Sequence, residues 1–250
     1  MLLGSQCESQ AGFVQQGLLE AFRDAETLSL REIVQRTGLD KSAVQRMTHT
    51  LVELGYLHQS AATQRFGLSP RILEPAYEYL RRHPLVERAT PILIDLRRQC
   101  DERVDLSVLF RNQLTYIQRH QSQTALFYTT LIGRRVPLYC SSGGRSVLAS
   151  LPEAEACNLL EQEERLPITR FTKTDPLEIW REVETARQQG WAVATSEVIE
   201  NETVFAAAIR AADGRPVGAV HVSCRTGALP PDELTDKIVL GLLGTVRLLG

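Results

Sequence analysis

The stretch "TGLDKSAVQRMTHTLVELGYL", Thr37 to Leu57, carries two patterns at helical spacing. Val44, Met47, Leu51 and Leu54 recur at the intervals that set them on one face of a helix. Ser42, Gln45, Arg46 and His49 keep a similar spacing on a second face, and each can hydrogen-bond. The apolar face lets the helix pack. The polar face is either solvated surface or a surface that reads something.

The flanks favour the second reading. "TLSLREIVQRTGL" (27–39) predicts a helix with Ser29 as N-cap, Glu32 reaching back to it as a capping box, and Gly38 ending it in the left-handed conformation. Leu30, Ile33 and Val34 face inward. Asp40 then caps the helix of the opening stretch. A further helix is expected over Phe13–Phe22, with Val14, Leu18 and Ala21 or Phe22 inside. Helix, short glycine-containing turn and second helix make the helix-turn-helix layout. After it, "YLHQSAATQRFGLS" (56–69) reads as two short strands around a polar turn, a wing. In this layout the second helix enters the DNA major groove with its N-terminal residues at base edges. Arg46 suits guanine and Gln45 adenine, His49 extends the same face, and Lys41 and Ser42 suit phosphates beside free backbone amides. Arg65 in the wing suits a phosphate or the minor groove. From Arg31 to Arg71, six basic side chains stand against three acidic ones. That modest excess predicts weak DNA binding by one copy and a need for dimers.

Composition bounds the rest. The chain has 250 residues and a net charge of −2, and its apolar fraction of 43% is ordinary for a globular protein. No apolar run approaches a membrane span, the start lacks the basic and apolar regions of a secretion signal, and a cytoplasmic protein is expected. The five cysteines, Cys7, Cys100, Cys140, Cys157 and Cys224, are scattered and never form C-x-x-C, so neither a disulfide framework nor a metal site is expected. The segment "YEYLRRHPLVERATPILIDLRRQC" (77–100) is helical in pattern apart from Pro84 and Pro91, which mark helix starts or a kink. The expected organisation is a winged helix-turn-helix at 10–74, a linker helix region at 75–100 and an effector-binding domain at 101–250, an α+β chain.

In the second half, "VDLSVLF" and "LTYIQRH" alternate as a hairpin around "RNQ", and "FYTTLIG" is a further strand candidate. Gly143-Gly144 opens a short helix through Leu151, and Pro152 begins another. "DPLEIWREVETARQQG" is a helix capped by Asp175 and ended by Gly190. "VFAAAIRAADGRPVGAVHVSC" is two strands around Asp213-Gly214, and a last helix spans about Pro231 to Leu249. In "GAVHVSC", Val220 and Val222 share one strand face and His221 and Ser223 the other. A buried face with His and Ser needs partners, from protein, solvent or a ligand.

The chain resembles the IclR-type bacterial transcriptional regulators. The opening stretch is similar to their recognition segment, and "RFGLSPRIL" to the end of their wing. "GRRVPLYCSSGGRSVLASLP" and "QQGWAVATSEVIENETVFAAAIRAADGRPVGAVHVS" are similar to the conserved segments of their second domain. The resemblance implies a GAF-like fold there, an antiparallel sheet with helices enclosing a small-molecule pocket. It implies dimers or tetramers on a double-stranded DNA operator, and an effector site at Ser141, Ser142, Gly143, Glu197, Val204, His221 and Ser223. Relatives that sense very small keto acids carry polar or thiol side chains where this chain has Ala194, Val204 and His221, so an aromatic or larger carboxylate is expected rather than glyoxylate or pyruvate. No cofactor is expected. Two other classes compete: a thiol switch at Cys140 or Cys224, and an enzyme pairing Cys140 with His221. The second lacks every supporting motif, such as G-x-S-x-G, H-E-x-x-H or a P-loop.

Overall fold

A computed structural model describes residues 17–122, 132–227 and 231–250. The chain divides into two compact units, Met1–Arg81 and Arg82–Gly250.

In the first unit, residues 17–20 are helical, and the end of the expected first helix buries Leu18, Ala21 and Phe22. Its start, 13–16 with Val14, lies outside the described residues. Helix α1 (Leu30–Thr37) has the expected capping box: Ser29 accepts from Glu32 N, and Glu32 accepts from Ser29 N at 2.7 Å. Gly38 ends it at φ 69°, a conformation that only glycine adopts without strain. Asp40 caps α2 (Lys41–Glu53) by accepting from Ala43 N at 2.9 Å.

Helix α2 departs from the apolar pattern at one end. Val44 is fully buried, Met47 and Leu51 are partly buried, and Leu54 is exposed. Thr48 is buried instead, because its hydroxyl donates to the Val44 and Gln45 carbonyls and needs no outside partner. The wing has three strands rather than two: β1 (Thr27–Leu28), β2 (Leu57–Gln59) and β3 (Phe66–Leu68), in the order β1-β3-β2. Ile33, Val44, Leu57 and Phe66 join Leu18 and Phe22 in one core. Helix α3 (Leu73–Arg82) buries none of its residues and leaves Leu73, Tyr77 and Tyr79 exposed.

The expected linker helix is two helices. His83 is extended because Pro84 follows it, so α3 stops at Arg82 and α4 (Pro84–Cys100) starts afresh with proline in its first turn. Helix α4 runs through Pro91 and buries Leu85, Ala89, Leu93, Leu96 and Cys100 in the second unit.

The sheet of that unit contains β4 (Arg103–Phe110), β5 (Gln113–His120), β6 (Arg135–Val136), β7 (Ala192–Thr195), β8 (Glu202–Arg210) and β9 (Pro216–Arg225). All neighbours are antiparallel, in the order β6-β5-β4-β9-β8-β7. Arg111 and Asn112 turn the β4–β5 hairpin with both φ angles positive, at 48° and 60°, as a tight twisted hairpin requires. The strand candidate "FYTTLIG" lies outside the described residues up to Leu131. Helix α5 (Ser142–Ala149) packs on one face of the sheet, α6 (Glu153–Gln162) and α7 (Pro176–Gln189) pack on α5, and α4 and α8 (Pro231–Leu249) pack on the sheet and each other. Asp175 and Gly190 bound α7 as expected. Among the described residues, no helix is long and apolar enough to cross a membrane.

Candidate functional site

On the first unit, Lys41, Ser42, Gln45, Arg46 and His49 are exposed along one side of α2. Ser42, Gln45, Arg46 and His49 line a shared concavity with the wing residues Gln59 and Gln64, so helix and wing present one surface. The capped start of α2 leaves backbone amides beside Lys41 and Ser42. Arg65 stands apart from this surface. Its guanidinium donates to the Thr27 hydroxyl and carbonyl at 3.0 and 2.9 Å and pairs with Glu32 at 2.9 Å. It fastens β3 to β1 and α1 through Nε and Nη2.

The second unit encloses a cavity of about 20 Å³, room for about one or two waters. Its floor is the α5-side face of the sheet. There Arg103, Ser223 and Val204 lie side by side across β4, β9 and β8, and Asp105, His221 and Ala206 form the next row. The N-terminus of α5 closes one side, and the loop after β7, with Glu197, Val198 and Ile199, closes another. Of the effector residues expected from sequence, Ser141, Ser142, Glu197 and Val204 line the cavity. His221, Ser223 and Gly143 are not among the lining residues, although Ser223 sits between the lining residues Arg103 and Val204 on the sheet. The His221 and Ser223 side chains are fully buried, and a Cβ on Gly143 would come within 2.2 Å of the His221 ring. Ala194 lines the cavity beside Val204, its cross-strand partner.

The polar groups fall into two sets. The first set is matched. Arg145 and Glu197, both buried, form a two-pronged ion pair at 2.6 and 2.7 Å. Glu197 also accepts from Lys173 N at 3.0 Å, and its carbonyl accepts from the Thr172 hydroxyl at 2.7 Å. It latches the loop over the cavity and is not a free ligand group. Arg103 pairs with Glu202 at 2.9 and 2.8 Å and with Asp105 at 2.8 Å, and Asp105 also takes Arg119 at 2.9 Å. The second set is unmatched. Ser142 Oγ, His221 Nδ1 and Ser223 Oγ are buried without a hydrogen-bond partner among the described residues.

His221 bonds Ser107 through Nε2 at 2.8 Å and leans on Tyr116 with ring centres 4.8 Å apart. Burial, with Arg103 adding to it, pushes its pKa down to about 3, so the ring is neutral. Burial also raises the Tyr116 hydroxyl. Cys140 and Cys224 are fully buried, and burial pushes both thiols up to about 12. Neither is the accessible thiolate that a redox switch or a cysteine nucleophile requires, and His221 is bonded to Ser107.

The sequence reading missed Arg103, Tyr116 and Arg134, all of which line the cavity. One signal was available. Arg103, Asp105 and Ser107 alternate with Val104, Leu106 and Val108 on a strand whose two faces are both buried, and charge on a buried face marks a network or a site.

Comparison with known proteins decides the family. Residues 17–61 match the IclR helix-turn-helix domain, and residues 77–247 match the family model described as bacterial transcriptional regulator IclR C-terminal. The chain belongs to the IclR family. Among IclR relatives, the HTH-type transcriptional regulator KipR of Bacillus subtilis is 34% identical over 240 residues, covering 93% of this chain and 94% of KipR. The crystal structure of an IclR family transcriptional regulator from Brucella abortus superposes with a TM-score of 0.80 at 27% identity, covering 99% and 95% of the two chains. An IclR homologue from Microbacterium hydrocarbonoxydans, crystallised with 4-hydroxybenzoate, shares the fold at a TM-score of 0.69 and 22% identity, covering 95% and 98%. This IclR protein is thus a winged helix-turn-helix transcriptional regulator and not an enzyme.

Proposed function

We propose that this regulator reads a double-stranded operator with the exposed face of α2, and that a small carboxylate effector bound in the second unit's cavity controls its operator affinity. The unmatched set carries the effector half. Each buried polar atom without a partner costs about 1–3 kcal/mol; of the three, Ser142 lines the cavity, and Ser223 and His221 stand on the sheet face beside its lining residues. They adjoin the start of α5, where Ser141 Oγ takes the Gly144 amide at 3.0 Å and the amides of Ser142 and Gly143 remain for a ligand. A helix start carries partial positive charge and favours an anion. The Ser142 and Ser223 hydroxyls complete a set of donors suited to a carboxylate. 4-Hydroxybenzoate, held by the Microbacterium homologue, belongs to this class.

On the DNA side, Arg46 and Gln45 read bases while Lys41 and Ser42 hold phosphates. The small positive excess of the unit calls for two copies on a pseudo-palindromic site. The exposed apolar residues of α3 supply a surface on which copies pair.

A thermal-shift screen of purified protein against small carboxylates tests the effector, because a ligand selective for the folded state raises its melting temperature. A hit should lose its shift in Ser142→Ala/Ser223→Ala, while that variant keeps wild-type operator affinity in gel-shift titration. A hit that stabilises both proteins equally places the effector elsewhere.

A further inference from the structure

The charges around the cavity do not balance. Arg145 is neutralised by Glu197, and Arg103 and Arg119 share Asp105 and Glu202. Arg134 also lines the cavity, and its guanidinium has no carboxylate partner among the described residues. The neighbouring segment 123–131, "QTALFYTTL", contains no acidic residue to provide one. Arg134 is fixed in place by its backbone, its carbonyl accepting from Tyr116 N at 3.0 Å just before β6. It therefore stands on the β6 side of the floor, whereas Ser223 and His221 stand on β9. Three strand spacings separate those positions, on the order of 14 Å between backbones. Between them the floor carries Tyr116 on β5 and Arg103 on β4, and Val136, Val198 and Ile199 supply apolar lining.

We infer that the effector is a dicarboxylate. Resting on the carboxylate reading above, one carboxylate sits at the α5 start with Ser142 and Ser223, and Arg134 receives the second. Val136, Val198 and Ile199 take the carbon frame. A monocarboxylate would leave the half-buried Arg134 charge without a counter-charge at the cavity, which a second carboxylate supplies. A guanidinium matches a carboxylate with two parallel hydrogen bonds, which makes it selective for that group over a neutral one of similar size. The Tyr116 hydroxyl, kept protonated by burial, lines the same cavity and is a further donor.

Isothermal titration of the full-length protein with two matched pairs, adipate against hexanoate and terephthalate against 4-methylbenzoate, tests this. In wild type the diacid of at least one pair should bind about tenfold or more tightly than its monoacid. Arg134→Gln should erase that ratio by weakening the diacid alone, and Arg134→Lys should restore part of it. Arg134 makes no side-chain bond among the described residues, so both variants should melt as wild type does. A wild-type ratio near one, or a ratio that survives Arg134→Gln, overturns the second contact while monoacid binding upholds the first. Binding of neither member of either pair overturns both.

Discussion

The polar face of α2 and the polar floor of the cavity use similar side chains in opposite surroundings. On α2, Ser42, Gln45, Arg46 and His49 stand in solvent along one helix. In the second unit, Arg103, Asp105, His221 and Ser223 stand on two adjacent strands, almost wholly excluded from solvent. An unpaired polar group in water costs nothing, so the α2 face gains meaning only from its layout beside the wing. An unpaired polar group in the interior is destabilising. There, pairing separates the residues that hold the fold, such as Arg145 and Glu197, from those without a partner among the described residues, such as Ser142 and Ser223, where the proposed effector would bind. The two sites therefore break differently.

The largest effect is expected at the latch. Arg145→Ala leaves Glu197 charged and buried without its partner, and should destabilise the second unit by about 3–5 kcal/mol. Replacing both residues with apolar ones of similar volume should recover most of that loss. Denaturant melts of the two variants measure this, and equal losses would mean that the pair is not what holds the loop.

Next comes the pH response of the floor. His221 has a folded pKa of about 3, against about 6.5 in an unfolded chain. Between these values the unfolded chain binds a proton that the folded chain refuses. The contribution is therefore whole above pH 6.5 and falls by about 1.4 kcal/mol for each unit of acidification toward 3. From pH 6.5 to 5 the loss is about 2 kcal/mol. His221→Asn should flatten that slope. His120, also lowered by burial, remains in both proteins, so parallel curves would show that another group dominates.

On α2 the loss should appear in binding and not in folding. Arg46→Ala should weaken specific operator binding by about 1–3 kcal/mol and relax one base preference, with the melting temperature unchanged. Lys41→Ala should instead weaken all sequences evenly and lower the salt slope by about one. Wild-type operator affinity in both variants would remove this face from the interface. The smallest effect belongs to the cap: Asp40→Ala should cost about 1 kcal/mol of stability, read as a shift of the urea midpoint.

Legibility in the sequence followed the range of the interactions. The Ser29–Glu32 box, the Asp40 and Asp175 caps and the Gly38 and Gly190 stops each involve neighbours within four residues, and the spelling reveals them. Strand β1 is two residues long, too short for any periodicity, and only its pairing with Phe66 and Gly67 defines it. Thr48 reads as polar and is buried because it bonds its own helix. Arg65 and Glu197 were legible as charges, but their partners Thr27 and Arg145 lie 38 and 52 residues away. Arg134 was missed for the same reason, because only the curled sheet brings it to the cavity.

The tightness of the cavity also sets a clock. With space for about two waters, no carboxylate larger than those waters can be captured from the structure as it stands. We expect entry by opening of the loop from Ser196 to Asn201, against the Arg145–Glu197 pair and the Thr169 and Thr172 hydroxyls that hold its carbonyls. Association is then gated by an opening step that the ligand does not accelerate. In stopped-flow mixing, the observed rate should level off at a plateau as effector concentration rises, instead of climbing in proportion. Glu197→Gln, which weakens the latch but keeps its shape, should raise the plateau. The regulator would then answer a sudden rise in metabolite at a pace written into one buried ion pair.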